Sequence, residues 1–283
     1  MTDFDEARSK SHANWQEMAP GWQKHGDYLW NTSRHVTEWM VEKADLKPGD
    51  TVLDVAAGPG DSGFTAAKLV GNTGRVITTD FSQQMVDVAE ARGASLGITN
   101  AEFKQMDAEK MDLDSAGVDA VLCKWGFMLM LDPAAALREC HRVLRPGGRV
   151  ALSVWGGPEQ NPWITVMGMV MMQQGYTPQG DPFGPGGMFS MAQADTIRSM
   201  LSDAGFSVVE VEEAEVRWRF DDFNGVWAFA TELAGAISAL VKQLPPEEVE
   251  DFKKAVIPAI EPYKSGDGYD LPGVTMNAAA TKS

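Results

Sequence analysis

The stretch VLDVAAGPGDSG, Val52 to Gly63, leads from a short apolar strand into a tight, glycine-rich turn. Gly58, Gly60 and Gly63 have the spacing G-x-G-x-x-G, which binds dinucleotides when it follows a strand and opens a helix. A turn of this kind lies at the carboxyl edge of a parallel sheet, where such folds bind ligands. The stretch therefore predicts a fold class and a ligand site together.

Strand and helix patterns alternate from this turn to residue 155. Strands are predicted at 51–56, 75–80, 101–107, 118–125 and 149–155, and helices at 62–70, 82–95 and 133–144. The last helix has Asp132 and Pro133 at its start and RPGG after its end, which are typical helix boundaries. With a closing antiparallel pair near 206–220 and 273–282, the pattern predicts an α/β fold with a doubly wound, mostly parallel, seven-stranded sheet.

The remaining segments are predicted to cover or complete this sheet. The expected organisation is an N-terminal helical cover (1–45), a ligand-binding core (46–155), a cap insert (156–190), completion of the sheet (191–220 and 271–283) and a helical cap (221–265). Pro20-Gly21 is expected to divide the helical cover in two, and Pro245-Pro246 to interrupt the helical cap.

Composition excludes several classes of protein. The 283 residues carry 24 Lys and Arg against 40 Asp and Glu, a formal net charge of −16, so a nucleic-acid partner is not expected. No apolar run is long enough for a membrane span, and the acidic N-terminus does not resemble a signal peptide. Cys123 and Cys140 make neither a disulfide framework nor a metal site. We expect a cytoplasmic monomer or homodimer without a metal.

The charges around the glycine turn argue against a pyrophosphate. Asp54 and Asp61 bracket the turn, and no Arg or Lys lies between residues 48 and 67. Asp61 already occupies the positive end of the following helix, where a phosphate would bind. The Tyr-x-x-x-Lys pair of many dehydrogenases is also absent around the four tyrosines. An NAD(P)-dependent oxidoreductase is therefore the less favoured alternative.

A cationic ligand fits the same residues better. S-adenosylmethionine (SAM) carries a sulfonium, an ammonium, a ribose diol and an adenine. Asp54 suits the ammonium, Asp80 the ribose hydroxyls and Asp107 the adenine amine, each at the end of a successive strand. Small residues at positions 56–60 allow the backbone to approach the ligand closely.

These segments resemble the class I SAM-dependent methyltransferases, particularly the ubiquinone/menaquinone-biosynthesis type, over roughly residues 48–155 and more weakly to about 212. The matching motifs are VLDVAAGPG, TDFSQQM (79–85), QMDAEKM (105–111) and CHRVLRPGGRV (140–150). The resemblance implies a Rossmann-like methyltransferase fold, SAM as cofactor and S-adenosylhomocysteine as product. The family usually has glycine where Ala56 stands, so slightly tighter packing with retained binding is expected.

The resemblance and the strand order together predict the cofactor site. The predicted cofactor-binding residues are Asp54, Ala56, Ala57, Gly58, Gly60, Asp80, Phe81, Met85, Asp107, Ala108, Lys124 and Trp125. Phe81, Met85 and Ala108 enter through the resemblance, whereas Lys124 and Trp125 end the fourth strand, on the sulfonium side.

The acceptor side is less well defined. Catalytic residues are unknown, with His12, His25 and His35 as weak candidates for a base. Large apolar residues of the N-terminal segment and the insert favour a small, apolar or aromatic acceptor: Trp15, Trp22, Trp30, Trp155, Trp163, Met167, Met169, Met171 and Met172. The same residues suit a protein core equally well. A non-catalytic SAM-binding regulator is the other alternative.

Overall fold

The fold, taken from a computed structural model that describes residues 3–177 and 180–283, is built on one sheet. Its strands are β1 (Thr51–Asp54), β2 (Arg75–Asp80), β3 (Ala101–Gln105), β4 (Val118–Lys124), β5 (Leu144–Trp155), β6 (Phe206–Phe220), β7 (Lys264–Ser265) and β8 (Gly268–Lys282). Residues 1–2 of the predicted helical cover and 178–179 of the predicted insert lie outside the described residues.

Ten α-helices accompany the sheet in the described part of the chain. They are α1 (Asp3–Lys24), α2 (Gly26–Lys43), α3 (Asp61–Val70), α4 (Gln83–Ser95), α5 (Pro133–Val143), α6 (Pro162–Gln173), α7 (Ala194–Asp203), α8 (Phe223–Leu233), α9 (Gly235–Gln243) and α10 (Pro246–Ile260). Helix α2 packs on α3 and on β5, β6 and β8, whereas α5 and α7 contact each other and pack on β5 and β6 respectively.

The strand order is β3-β2-β1-β4-β5-β8-β6, and β7 pairs with β8 outside this row. The pairings from β3 to β5 are parallel, and β8 runs antiparallel to both β5 and β6. The predicted doubly wound, mostly parallel α/β sheet with a closing antiparallel pair is therefore confirmed. The two-residue strand β7 adds an eighth strand, which the sequence did not indicate.

Strands β1, β3, β4, β5 and β8 differ from their predicted bounds by one to five residues, and for β1 and β5 the reason can be identified. Strand β1 ends at Asp54 because Ala56, two residues later, has a left-handed backbone with φ 50°. Strand β5 begins at Leu144, five residues early, because RPGG does not end the strand pairing. Instead it forms a bulge between the pairs Val118↔Leu144 and Ala120↔Arg149.

The predicted break at Pro20-Gly21 is wrong, because α1 continues through Pro20 to Lys24. The ring of Pro20 is exposed, so the helix can tolerate the missing N–H there. Gly21 serves helix packing instead, since a Cβ at this position would lie 2.3 Å from the carbonyl oxygen of Glu232 in α8. The chain turns only at His25, before α2 begins.

No single described helix is both long and apolar enough to cross a membrane. Helices α8 and α9 pass that test only as a pair, and a bend of 97° separates them. Both helices contribute buried side chains to the protein core, among them Val226, Phe229 and Ile237.

We predict that Gly21→Ala lowers the free energy of unfolding by about 1–3 kcal/mol, because the new methyl group collides with the α8 backbone. The matched control is Gly168→Ala in α6, where an added Cβ meets no atom of the described chain within 4 Å. That control is expected to be neutral or to stabilise the protein by up to about 1 kcal/mol. Urea unfolding of the three proteins measures the difference, and equal stability of the two variants would contradict close α1–α8 packing.

Candidate functional site

A cavity of about 1060 Å³, counted out to its mouth, opens at the carboxyl ends of β1, β2, β3 and β4. Ten of the predicted cofactor-binding residues line it: Ala56, Ala57, Gly58, Asp80, Phe81, Met85, Asp107, Ala108, Lys124 and Trp125. Asp54 and Gly60 do not line it. Helices α1 and α2 close the cavity with Arg8, Ser11, Trp15, Trp22 and Leu29.

The loop between β1 and α3 contains residues with positive φ, a backbone conformation that glycine adopts readily. Gly58 and Gly60 have φ 52° and 91°, and a Cβ on Gly60 would lie 2.4 Å from the Phe64 ring. Ala56 adopts φ 50° although it carries a methyl group. That methyl fits because residue 126 is glycine: a Cβ on Gly126 would lie 2.7 Å from the Ala56 Cβ.

Asp80 connects the end of β2 to this loop. Its carboxylate accepts hydrogen bonds from the N–H of Gly58 at 3.0 Å and from the N–H of Ser82 at 2.9 Å. Burial raises the pKa of Asp80 to about 6, against the lowering effect of these backbone donors. The carboxyl group lines the cavity where a ribose diol is predicted.

Asp54 lies beneath the loop rather than in the cavity wall. It is fully buried, and its Oδ2 accepts a 2.7 Å hydrogen bond from the N–H of Gly63 in α3. Its Oδ1 has no hydrogen-bond partner among the residues that the structure describes. Burial raises the pKa of Asp54 to about 7, because water no longer solvates the charged form. Any contact with an ammonium group would therefore need a bridging water or a movement of the loop.

Asp107 follows β3 and is paired with an arginine that the sequence analysis missed. Arg8 in α1 contacts the Asp107 carboxylate and, at 2.6 Å, Glu109. The Arg8 guanidinium also lies 5.6 Å from the centre of the Phe81 ring. Glu109 in turn accepts hydrogen bonds from the N–H groups of Leu131 and Asp132, both at 3.1 Å. Arg8 thus joins α1 to the edge where the adenine is predicted.

Two cations approach the glycine loop from distant parts of the sequence. Asp61, the first residue of α3, pairs with Arg92 of α4, and its Oδ2 lies 3.9 Å from the Nζ of Lys124. Arg92 also donates to the carbonyl oxygen of Pro59 at 3.3 Å. The acidic surroundings expected from residues 48–67 are thus partly neutralised, by a pairing that sequence spacing does not reveal.

The opposite wall of the cavity is apolar. Trp15 and Trp22 lie with ring centres 6.1 Å apart and pack with Met85. Leu129, Met130 and Leu131, which follow β4, continue this wall. The sequence singled out the two tryptophans but contained no signal for the 129–131 segment.

The expectation that the Met-rich insert lines the cavity is wrong. Trp30, Trp155, Trp163, Met167, Met169, Met171 and Met172 are all absent from the described lining. Met167 and Met171 are buried in the core, where α6 packs on α10 and β8, whereas Met169 and Met172 face solvent. The insert supports the wall through two hydrogen bonds: Ser190 donates to the carbonyl oxygen of Met128 at 2.9 Å, and the N–H of Gly186 donates to the carbonyl oxygen of Met130 at 3.0 Å.

The three histidine candidates also lie outside the cavity lining. His25 contacts Glu232 at 2.7 Å, and His35 contacts the carbonyl oxygen of Glu215 at 2.8 Å. His12 lies against the outer edge of Phe81, with ring centres 4.9 Å apart. Across residues 3–177 and 180–283, no group of three His, Cys, Asp or Glu side chains is arranged to hold a metal ion.

The arrangement fits SAM along the row of strand ends. Asp107 after β3, Asp80 after β2 and the loop after β1 lie in the order of adenine, ribose and methionine. Gly58 and the small residues beside it leave room for the ligand against the backbone. SAM supplies an electrophilic methyl group on a positively charged sulfur. With SAM in this position, the residues at the end of β4 would border the methyl group and its acceptor.

Comparison with known proteins agrees with this geometry. Residues 46–173 match a family model described as a methyltransferase domain. The chain is 30% identical over 187 residues to the ubiquinone/menaquinone biosynthesis C-methyltransferase of Pseudomonas syringae pv. tomato, covering 60% of this chain and 70% of that protein.

Two further comparisons extend this finding. The chain is 36% identical over 122 residues to an uncharacterized 37.1 kDa protein in transposon TN4556 of Streptomyces fradiae, and it spans only 35% of that protein's length. A solved SAM-dependent methyltransferase from Aquifex aeolicus superposes with a TM-score of 0.50 and 25% identity, over 69% of this chain and 92% of that one.

Replacing Asp54 by Asn is predicted to remove part of the pH dependence of stability. With the folded-state pKa raised to about 7, the folded protein binds more protons than the unfolded chain between about pH 4 and pH 7. The wild-type free energy of unfolding should therefore fall as pH rises through this window, by up to about 4 kcal/mol, and the Asn variant should lack that fall. Urea unfolding at several pH values measures both curves. Parallel curves would show that Asp54 titrates normally.

Asp80→Ala is predicted to weaken SAM binding by roughly 10- to 100-fold, because the ribose hydroxyls lose their charged acceptor. Calorimetry measures the Kd, and urea unfolding shows whether the variant folds despite the two unpaired N–H groups. Asp87→Ala, which removes an exposed carboxylate from α4, is the control and should leave the Kd unchanged. An unchanged Kd in a folded Asp80→Ala variant would refute the ribose assignment.

Proposed function

This chain belongs to the class I SAM-dependent methyltransferases of the ubiquinone/menaquinone-biosynthesis type, and from that premise we propose that it methylates a small, apolar or aromatic acceptor. The observation that carries the proposal is the division of the cavity. Polar groups line the ends of β2 and β3, and apolar side chains line the space beyond the end of β4. The first part matches a nucleoside, and the second matches an acceptor with little charge.

The apolar wall gives the acceptor its expected chemistry. Trp22 of α1 and Leu29 of α2 face the same cavity as Leu129, Met130 and Leu131. Aromatic and thioether side chains adapt well to flat apolar ligands. The formal net charge of −16 disfavours a polyanionic acceptor in addition. The name of the C-methyltransferase relatives, which places them in ubiquinone and menaquinone biosynthesis, is consistent with an acceptor of this class.

Backbone contacts support SAM over a nicotinamide dinucleotide. The N–H of Gly58 is already used by Asp80, and the Asp61 carboxylate stands at the N-terminus of α3. A pyrophosphate placed on this loop would meet two carboxylates in place of free N–H donors. The oxidoreductase alternative is therefore disfavoured by the structure as well as by the sequence.

Catalysis would depend mainly on alignment and on exclusion of water. Methyl transfer disperses the positive charge of the sulfur, so the protein needs to orient the reacting atoms more than to stabilise a new charge. The α1–α2 segment closes over the strand ends with Trp15 and Trp22, and Arg8 holds it against the sheet edge. These contacts cover part of the acceptor space.

We predict that Leu129→Asn lowers kcat/KM for an apolar aromatic acceptor by about 10-fold, because the wall loses about 1–2 kcal/mol of apolar contact. The Kd for SAM should stay unchanged, since Leu129 lies beyond the end of β4. Leu69→Asn, on the exposed surface of α3, is the matched control and should behave as wild type. Acceptors are identified by methyl-transfer assays on a panel of apolar, aromatic, zwitterionic and polyanionic compounds. Transfer only to charged compounds would contradict the proposal, and no transfer to any compound would favour a SAM-binding regulator.

A further inference from the structure

Lys124, one of the predicted cofactor-binding residues, lies towards the acceptor side of the cavity. It is the last residue of β4, it lines the cavity, and only 12% of its side chain is exposed. Because β4 lies beside β1 in the sheet, Lys124 stands at the opposite end of the row from Asp107 and the predicted adenine. Its Nζ therefore borders the space that remains for the acceptor.

The Nζ of Lys124 is weakly held for a buried cation. Its contacts are Ser33 Oγ and Thr37 Oγ1 of α2, both at 3.3 Å, Asp61 Oδ2 at 3.9 Å, and the Trp125 ring, whose centre lies 5.2 Å away. The Ser33 hydroxyl donates its proton to the carbonyl oxygen of Leu29 at 2.7 Å, so towards Lys124 it acts only as an acceptor. Asp61 already shares its charge with Arg92. The ammonium form is thus incompletely compensated.

The groups around Lys124 have opposing effects on its pKa. Burial lowers the pKa of Lys124, and the nearby Arg92 lowers it further. Asp61 and Asp54 act in the opposite direction, although Asp54 itself has a raised pKa and carries less charge below neutral pH. Helix α2 contributes only the two hydroxyl groups. The neutral amine, which can accept a proton, is therefore populated at a lower pH than in an exposed lysine.

The backbone after Lys124 fixes the position of the amine. Trp125 has a left-handed backbone with φ 60°, an uncommon conformation for a bulky residue. Its N–H donates to the carbonyl oxygen of Ser153 at 2.7 Å, and its indole N–H donates to Thr275 Oγ1 at 3.2 Å. The ring stacks on Trp155 with centres 4.3 Å apart. Lys124 is thus attached to a rigid turn, which fixes its position relative to a reacting group, as proton transfer requires.

The other titratable groups that line the cavity have firmer partners. Asp80 accepts from two backbone N–H groups, and Asp107 and Glu109 share Arg8. Asp61 pairs with Arg92. Of the described lining residues, Lys124 alone combines a proton-accepting atom, weak contacts and a place at the acceptor end.

We propose that Lys124 is the catalytic base: its Nζ takes the proton of a hydroxyl group on an aromatic acceptor and then holds the resulting oxyanion. The inference rests on the proposed function and names the acceptor class more closely, as a phenol. The oxyanion, or the ring carbon conjugated with it, supplies the electron pair for the new bond to the methyl group. The bond from methyl to sulfur breaks and its electron pair stays on sulfur. After attack by carbon, that carbon loses its own proton to water, and the oxyanion takes a proton back from Lys124, which restores the phenol and the neutral amine. After attack by oxygen, Lys124 releases its proton to solvent.

A binding experiment without SAM tests the proton transfer directly. 4-Nitrophenol absorbs visible light only as the phenolate, and 4-nitroanisole lacks the hydroxyl group and serves as the ligand control. At a pH where the free phenol is mostly protonated, excess wild-type protein should raise the phenolate absorbance. Lys124→Met should abolish the rise, whereas Lys104→Met, which removes an exposed lysine of β3, should retain it. No rise with wild-type protein, or an equal rise with Lys124→Met, would overturn the inference.

Turnover separates a base from a simple positive charge. With 1-naphthol as acceptor, Lys124→Met and Lys124→Arg should both lose at least about 100-fold in kcat, while the Kd for SAM changes less than about threefold. The Arg variant keeps the charge beside Asp61 and so protects the fold, but a guanidinium cannot accept the proton. Wild-type kcat in Lys124→Arg would overturn the role as base.

The two proposals can fail separately. Methyl transfer to aromatic compounds that lack a hydroxyl group, with no phenolate signal for 4-nitrophenol, would overturn the inference about Lys124 and leave the proposed function standing. Absence of transfer to every apolar or aromatic compound of the panel would instead overturn the proposed function.

Discussion

The cofactor edge of this protein depends on two carboxylates that accept hydrogen bonds from the backbone, Asp54, which is buried, and Asp80, which is half-buried. Asp80 ties the end of β2 to the N–H of Gly58, and Asp54 ties the end of β1 to the N–H of Gly63. Gly63 has to be glycine, because a Cβ there would lie 2.7 Å from Asp54 Oδ2. A buried carboxylate is costly without donors, so the loop must keep the one shape that supplies them.

This fixed loop also determines how the acceptor end is built. Ala56 and Trp125 both have left-handed backbones, and they belong to the two turns that follow β1 and β4. The turns pack so tightly that no side chain fits at Gly126. Strain of this kind persists only where surrounding contacts over-determine the backbone, and it concentrates at functional sites. The positions of Lys124 and of the apolar wall after it follow from that packing.

Local patterns predicted most of the fold and much of the site. The alternation of strands and helices, the glycine spacing and the carboxylates at strand ends were informative, because each element and each strand end is encoded by residues that are neighbours in the chain. The missed partners, Arg8 and Arg92, lie 99 and 31 residues from the aspartates they contact, Asp107 and Asp61. Long-range ion pairs leave no periodic signal in a sequence. The Met-rich insert was assigned to the cavity wrongly, since core and ligand wall have the same apolar composition.

The sequence by itself determined the class of fold, which strands end in a carboxylate, and which residues suit SAM. It could do so because side-chain type and spacing limit what a strand-to-helix turn can bind. Only the tertiary structure decided which groups face the cavity. Asp54 lies beneath the loop, and Met167 and Met171 of the insert lie in the core. Lys124 lies between α2 and α3, where its charge is incompletely compensated. The reason is physical: burial and the distances between charged groups arise when distant segments pack, and these quantities set how readily a side chain accepts a proton.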